Sequence, residues 1–355
     1  MIGLLLVACV AHVDFTDPDG HFRAAYGALD VDSWSETASS NGETIVPIEV
    51  ASDTASFLVT VTSSARPVLE TLVAPDGTVV LDAAEWAVSD ETLVGAFDGD
   101  RRTAVLNWPV RGIDGPLAVG TWTAQFAGDP GTSVDLAIHR KTDDDLAAGV
   151  VTVRLAFADG LYSNDVREGI GTAVAGWQAL WAPHGLEVVA TEHETQLDPA
   201  MDFVANGDPS IQAFAEEFAG RGELVVVIGN VVTIKPLVFG TSAGTPGTVL
   251  PTDYNFVAIA WGNAAGFDGL LNGDEPDVLA VTLAHEVGHY MGVPHPVEID
   301  WAHWDALEDT SDCDSESACE SSLGDNVMFP TLSSDAPSEL TPQQVEVLHR
   351  YVGAL

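Results

Sequence analysis

The stretch "HEVGHYMGVPH", residues His285–His295, holds three histidines, a glutamate and a glycine, and its reading decides what the C-terminal part of the chain is. Just upstream, Asp274-Glu275-Pro276-Asp277 has the composition of a helix start. It offers an acidic cap, a proline in the first turn, and negative charge near the positive end of the dipole. Val278, Leu279, Val281, Leu283 and Val287 carry an apolar pattern on to about Met291. On such a helix His285 and His289 lie four apart, so both project from one face about one turn from each other. Two imidazoles so placed can bind one zinc ion. Glu286 sits beside the first of them, placed to touch a metal-bound water rather than to ligate. Gly292 ends the helix, because glycine reaches the left-handed conformation without a Cβ penalty. The chain can then turn back and deliver His295 as a third ligand. Three protein ligands leave one coordination position open, the mark of a catalytic rather than a closed structural site.

The pattern His285-Glu286-x-x-His289-x-x-Gly292-x-x-His295 resembles, at every fixed position, the extended zinc signature of the metzincin metallopeptidases. The family carries a second hallmark, a turn whose methionine lies beneath the metal, and "DNVMFP" (325–330) offers Met328 for it. The order of strand, helix, strands, histidine helix, methionine turn and terminal helix is also similar. That terminal helix is read in "LTPQQVEVLHRYVG" (340–353), with Thr341 as cap, Pro342 next and Gln344 completing a capping box. The resemblance spans about residues 148–355. It implies a zinc endopeptidase acting on a peptide or protein, with the metal on His285, His289 and His295. Zinc polarises the scissile carbonyl and activates water, and Glu286 takes the water proton and returns it to the leaving amine. "DALEDTSDC" (305–313), with Cys313 and Cys319, looks like the pappalysin-like branch. His295-Pro296 is instead similar to serralysins, which carry a tyrosine where this chain has Pro330. Phe97-x-Gly99-Asp100 matches in letters the aspartate switch of astacins, although a strand-ending turn is the simpler reading. Two other functions compete. One is a catalytically inert surface lipoprotein that works by adhesion, and the other is a zinc hydrolase of non-peptide amides. Retention of Glu286 with all three ligands favours the peptidase.

Composition narrows the partners. The chain has 355 residues, 54 acidic and 12 basic, for a net charge of −42. Such a surface repels phosphates, which excludes nucleic acid as a partner. The N-terminal "MIGLLLVACVAHVD" has a short apolar run ending in Leu6-Val7-Ala8-Cys9, which resembles a bacterial lipobox, without a basic residue before Arg23. A signal peptide over 1–9, lipidation of Cys9 and an exported, cell-surface or secreted monomer are expected from it. In that oxidising setting Cys313 and Cys319 read as a disulfide or as two free thiols. Glu298, Asp300, Asp305, Glu308, Asp309, Asp312 and Asp314 fit either a calcium site or a solvated acidic loop. Trp301, His303 and Trp304 read as local packing or cleft wall.

The chain divides by its grammar into an α+β, multi-domain protein. Residues 10–43 are polar and end in "ETASSNGE", a linker pattern. Residues 44–141 hold short alternating runs such as "TIVPIEV", "SFLVTVTS" and "GTWTAQF", which predict a β-sandwich. "APDGTVV" (74–80) and "PLAVGTWTAQF" (116–126) make it similar to the pre-peptidase C-terminal type of domain found with secreted proteases. "KTDDD" (141–145) is the expected boundary, and 148–355 forms the catalytic domain. There a strand at 150–158 precedes an amphipathic helix with Val166, Ile170, Ala173, Val174, Trp177 and Trp181 on one face. Strands follow in "LEVVAT", "ELVVVIG" and "NFVAIAW".

Overall fold

The structure, a computed structural model, describes residues 15–16, 21–97, 102–143, 146–202, 222–233, 237–249, 256–266, 268–331 and 337–355. Cys9, Gly99 and Asp100 therefore lie outside the described residues. The chain is α+β, with several sheets and few helices.

Period-two burial builds the N-terminal part. Along Glu43–Val50 the side chains of Thr44, Val46, Ile48 and Val50 are buried while their neighbours face outward. This strand pairs antiparallel with Gly120–Ala127, which continues through Val68–Val73 to Val79–Asp82. A second antiparallel sheet runs in the order Phe15–Thr16, Phe22–Tyr26, Leu29–Thr37, Ser133–Lys141, Ser56–Ser63 and Thr103–Trp108. The two meet in one core, where Phe57 of the second sheet touches Trp122 of the first edge-on at 5.9 Å.

The linker expected over 10–43 is corrected here. Phe22–Tyr26 and Leu29–Thr37 are strands, and the latter pairs along its whole length with Ser133–Lys141. Leu29 and Val31 point into the core, while Asp30 and Asp32 stand between them on the other face. A strand whose outward positions are acidic has half its residues polar, so its composition reads as a linker although its alternation is that of a sheet.

The C-terminal part contains a five-stranded sheet in the order Leu186–Glu194, Gly149–Phe157, Leu224–Gly229, Val257–Ala260 and Gly240–Ser242. The first four are parallel, and the edge strand Gly240–Ser242 runs antiparallel. Every residue of Leu224–Gly229 is buried, as a central strand covered on both faces requires. The helix Asn164–Trp181 buries the six residues expected of it, and Ser163 caps it by accepting the Val166 N–H at 3.4 Å. It packs against the histidine helix Glu275–Tyr290. A Cβ at Gly176 would stand 2.7 Å from the Ala280 Cβ, so glycine sets how closely the two helices approach. No helix of the described residues is long and apolar enough to cross a membrane.

The N-terminal sheets are stitched to this part near the histidines. Glu91–Thr92 pairs parallel with Trp304–Asp305, and the Gly95 N–H donates to the Thr245 carbonyl at 2.7 Å. Asn107 Nδ2 donates to the Arg350 carbonyl, and Asn107 Oδ1 accepts the Val352 N–H. Lys141, expected at the boundary, is fully buried at a strand end, and its Nζ donates to the carbonyls of His349 and Ala354.

Candidate metal centre

The histidine helix covers Glu275–Tyr290 and buries Leu279, Val281, Leu283, Val287 and Tyr290. Asp274 occupies the cap position but does not cap through its side chain, a correction to the sequence reading. The acid that serves the helix start is Glu275, whose carboxylate accepts the Asn272 N–H at 2.6 Å. At the other end Gly292 has φ of +104°. The Gly292 N–H donates to the His289 carbonyl and the Val293 N–H to the Gly288 carbonyl, the paired closure of a Schellman motif. That closure reverses the chain and brings His295 back beside the helix.

His285, His289 and His295 converge, with one potential ligand atom from each lying within 4.8 Å of the others. Each ring is held through Nδ1. Nδ1 of His285 lies 2.8 Å from the Val327 carbonyl, and Nδ1 of His289 lies 2.7 Å from the Val293 carbonyl. Nδ1 of His295 lies 3.1 Å from a Glu298 carboxylate oxygen. A carbonyl or carboxylate can only accept, so each Nδ1 carries a proton, and in the neutral ring Nε2 then presents a lone pair. Nε2 of His289 and Nε2 of His295 face each other at 3.0 Å. Two neutral rings would face each other there with lone pairs, which a shared cation offsets, and with His285 converging on the same point the donor set fits a metal ion. Burial, with the neighbouring His295, pushes the His285 imidazole down to about 4, which keeps it neutral and able to ligate near pH 7. The outer partners are those that fix tautomer and orientation at histidine metal sites.

Met328 is fully buried, and its sulfur abuts the helix where Gly288 lacks a side chain: a Cβ there would stand 2.7 Å from Sδ. The turn bearing it is held from both sides. The Met328 N–H donates to Asn326 Oδ1, and Asn326 Nδ2 donates to Gln344 Oε1 at 2.9 Å. Gln344 also closes the predicted capping box with Thr341 on the helix Pro342–Arg350. The Asn326–Gln344 pair thus fixes the turn whose Val327 carbonyl orients His285. Sequence reading assigned Gln344 to a cap and missed this link, for which a buried amide pair leaves no spacing signal. Glu286 is half-buried, and its Cγ lies against the edge strand: a Cβ at Gly240 would stand 2.7 Å from it.

Of the two readings of the acidic loop, the structure is consistent with the solvated one. Among the described residues only the three histidines bring enough ligand atoms together for a metal. Several of the acids are engaged one by one instead. Glu298 holds His295, Asp300 accepts from the Ala302 N–H and pairs with His303, and Asp309 accepts the Gln343 N–H. Cys313 and Cys319 form a disulfide in a small core with Val297, Leu323 and Phe329. Trp301 and Trp304 pack on that core, and Trp304 Nε1 donates to the Cys313 carbonyl.

Asp305 is the exception among these acids. It is 4% exposed, and its Oδ1 accepts from the Leu307 N–H and the Thr310 hydroxyl. Its Oδ2 is buried without a hydrogen-bond partner, and burial pushes the carboxyl up to about 7. A folded-state value above the unfolded one means that the native state holds the proton more tightly. The contribution of Asp305 to stability is therefore greatest at low pH and is lost as pH rises from about 4 through 7, by at most about 4 kcal/mol. Asp305→Asn removes the charge but keeps the Oδ1 bonds. In thermal unfolding this substitution should raise Tm at pH 8, with the gain closing as pH falls toward 4. An equal Tm difference at both ends would refute the assignment.

No protein-family model matches this chain, and no curated protein does. Among solved structures it is similar to archaemetzincin from Methanopyrus kandleri, at 15% identity, over 57% of this chain and 94% of that one, with a TM-score of 0.34. It is also similar to metalloproteinase-II from Bacteroides fragilis, at 12% identity, over 90% of this chain and 87% of that one, with a TM-score of 0.36. Neither likeness is close enough to carry a function; the histidine geometry has to.

Proposed function

We propose that the chain is a zinc-dependent endopeptidase of the metzincin kind, with His285, His289 and His295 as ligands and Glu286 as general base and acid. The observation that carries this is the lone-pair arrangement: three imidazoles, each held by an acceptor at Nδ1, turn Nε2 toward one point. Imidazole nitrogens suit zinc, and three of them leave a position for substrate and water. Bound zinc would supply Lewis acidity and a water of lowered pKa. The chain's own residues do the rest. Val327, Val293 and Glu298 hold the rings, Met328 backs the helix, and Glu286 takes the proton of the attacking water and passes it to the leaving amine. The lipobox-like run ending at Cys9 and the Cys313–Cys319 disulfide support an exported, lipid-anchored enzyme.

Metal analysis tests the centre directly. The purified chain should hold about one zinc per molecule, and His289→Ala should lose most of it. A wild-type chain that takes up no zinc under saturating conditions would remove the basis for the reading.

A further inference from the structure

A cleft of about 660 Å³ lies against the histidines, a size that can enclose a peptide side chain and its neighbours. His289 and His295 are in its wall, together with Pro294 and Glu298. The larger share of the wall comes from the N-terminal part, from residues between Ala83 and Phe97 together with Thr103 and Val105. We infer that these wall residues form a specificity subsite of the same enzyme, taking a large apolar side chain of the substrate beside the scissile bond. The inference rests on the peptidase reading.

Three observations lead there. The first is continuity: a peptide carbonyl held at the histidines must lay its adjoining side chains into the cleft that those histidines border. The second is chemistry. Trp86, Leu93, Val94, Phe97 and Val105 face the cleft, and Trp86 and Phe97 are half-buried with their rings nearly parallel, 20° apart at 6.3 Å between centroids. Aromatic faces that remain partly open favour a flat or branched apolar group. The third is rigidity. The Gly95 N–H donates to the Thr245 carbonyl, and the Trp304 and Ala306 N–H groups donate to the carbonyls of Asp90 and Thr92. Arg111, paired with Asp114, donates to the Ala306 carbonyl. Across the cleft, the loop Gly244–Thr248 is held by the Gly247 N–H on the Tyr290 carbonyl and by the Tyr290 hydroxyl on the Thr248 carbonyl. The Gly244–Thr248 wall is thus tied directly to the histidine helix through Tyr290, and the other wall is tied to that loop through Thr245 and to the segment after His295 through Trp304 and Ala306, as a subsite of fixed shape needs. Glu91 and Glu298 on the cleft, with a net charge of −42, favour cationic over anionic peptides.

The test uses the full, zinc-loaded chain and matched cationic peptides that carry phenylalanine or serine on either side of the cut bond. Wild type should prefer the phenylalanine peptide in kcat/KM by roughly 10- to 100-fold, the range of an apolar pocket. Trp86→Ala opens the pocket and should bring that ratio below about 5-fold. Ala87→Trp fills the cleft from an exposed position and should do the same by exclusion. Zinc content and Tm confirm that each variant is folded. Binding is measured separately by anisotropy of labelled peptides on zinc-loaded Glu286→Gln, with and without Trp86→Ala. If that background shows no preference for phenylalanine, or if both cleft variants keep the wild-type ratio, the subsite is refuted. If a Trp86-dependent preference in binding appears while wild type cuts no peptide, the subsite stands and the peptidase reading falls.

Discussion

Glu286→Gln keeps about one zinc per chain and loses peptide hydrolysis by at least roughly 10²-fold and up to 10⁴-fold, the range of general acid–base catalysis. Glutamine has the shape of glutamate, so the fit of the side chain against Gly240 survives, as do the three ligands one position and more away. What is removed is the ability to accept and return a proton. The loss should fall on kcat more than on KM, because the proton moves only as the bond is made and broken. The measurement is single-turnover cleavage of a peptide, with zinc determined on the same sample. Hydrolysis at the wild-type rate in a zinc-loaded variant would exclude Glu286 from the chemistry. Loss of zinc alongside activity would instead make Glu286 part of the metal's support.

Much of this centre could be read from residues alone because its parts are local. The His285–His289 spacing needs only helical geometry, and the return of His295 needs only Gly292, whose positive φ and Schellman closure the structure bears out. The alternation in Glu43–Val50 and the six buried positions of Asn164–Trp181 were legible for the same reason. The Asp274 cap failed locally, because Glu275 rather than Asp274 engages the backbone at the helix start; the other features that sequence reading missed depend on partners outside their own segment. The strand Leu29–Thr37 pairs along its whole length with Ser133–Lys141, about a hundred positions away, and its polar composition hid a local alternation and its pairing with Phe22–Tyr26. For the acids of 298–314, sequence left a calcium site and a solvated loop both open, because crowding in sequence does not say which partners each acid meets. In space, Asp309 reaches to the Gln343 N–H, 34 positions away, while Glu298 meets His295 only three positions back. The cleft wall from Trp86 and Phe97 was invisible for the same reason, since nothing local ties those residues to His289.

The second large effect lies at that long-range junction. Lys141→Ala should lower stability by about 3 kcal/mol or more, seen as an earlier denaturation midpoint, with lost zinc retention near the transition. The Lys141 side chain is fully buried, although lysine rarely is. Its Nζ donates to the His349 carbonyl, in the last turn of the helix Pro342–Arg350, and to the Ala354 carbonyl just beyond. Helix C-terminal carbonyls lack partners within the helix and carry the negative end of its dipole, so an ammonium there is favourably placed. Alanine strands these two carbonyls away from water, at about 1–3 kcal/mol for each unsatisfied group, and leaves a cavity where the alkyl stem ran. The consequence reaches the metal centre through covalent continuity. The same helix carries Gln344, which holds Asn326, the residue that fixes the Met328 turn and with it the Val327 carbonyl on His285. Lys141→Met separates the contributions, since it restores the stem but not the donor. It should recover the packing part of the loss and leave the hydrogen-bonding part. Equal stability of wild type, Lys141→Ala and Lys141→Met would show that the junction does not depend on the ammonium.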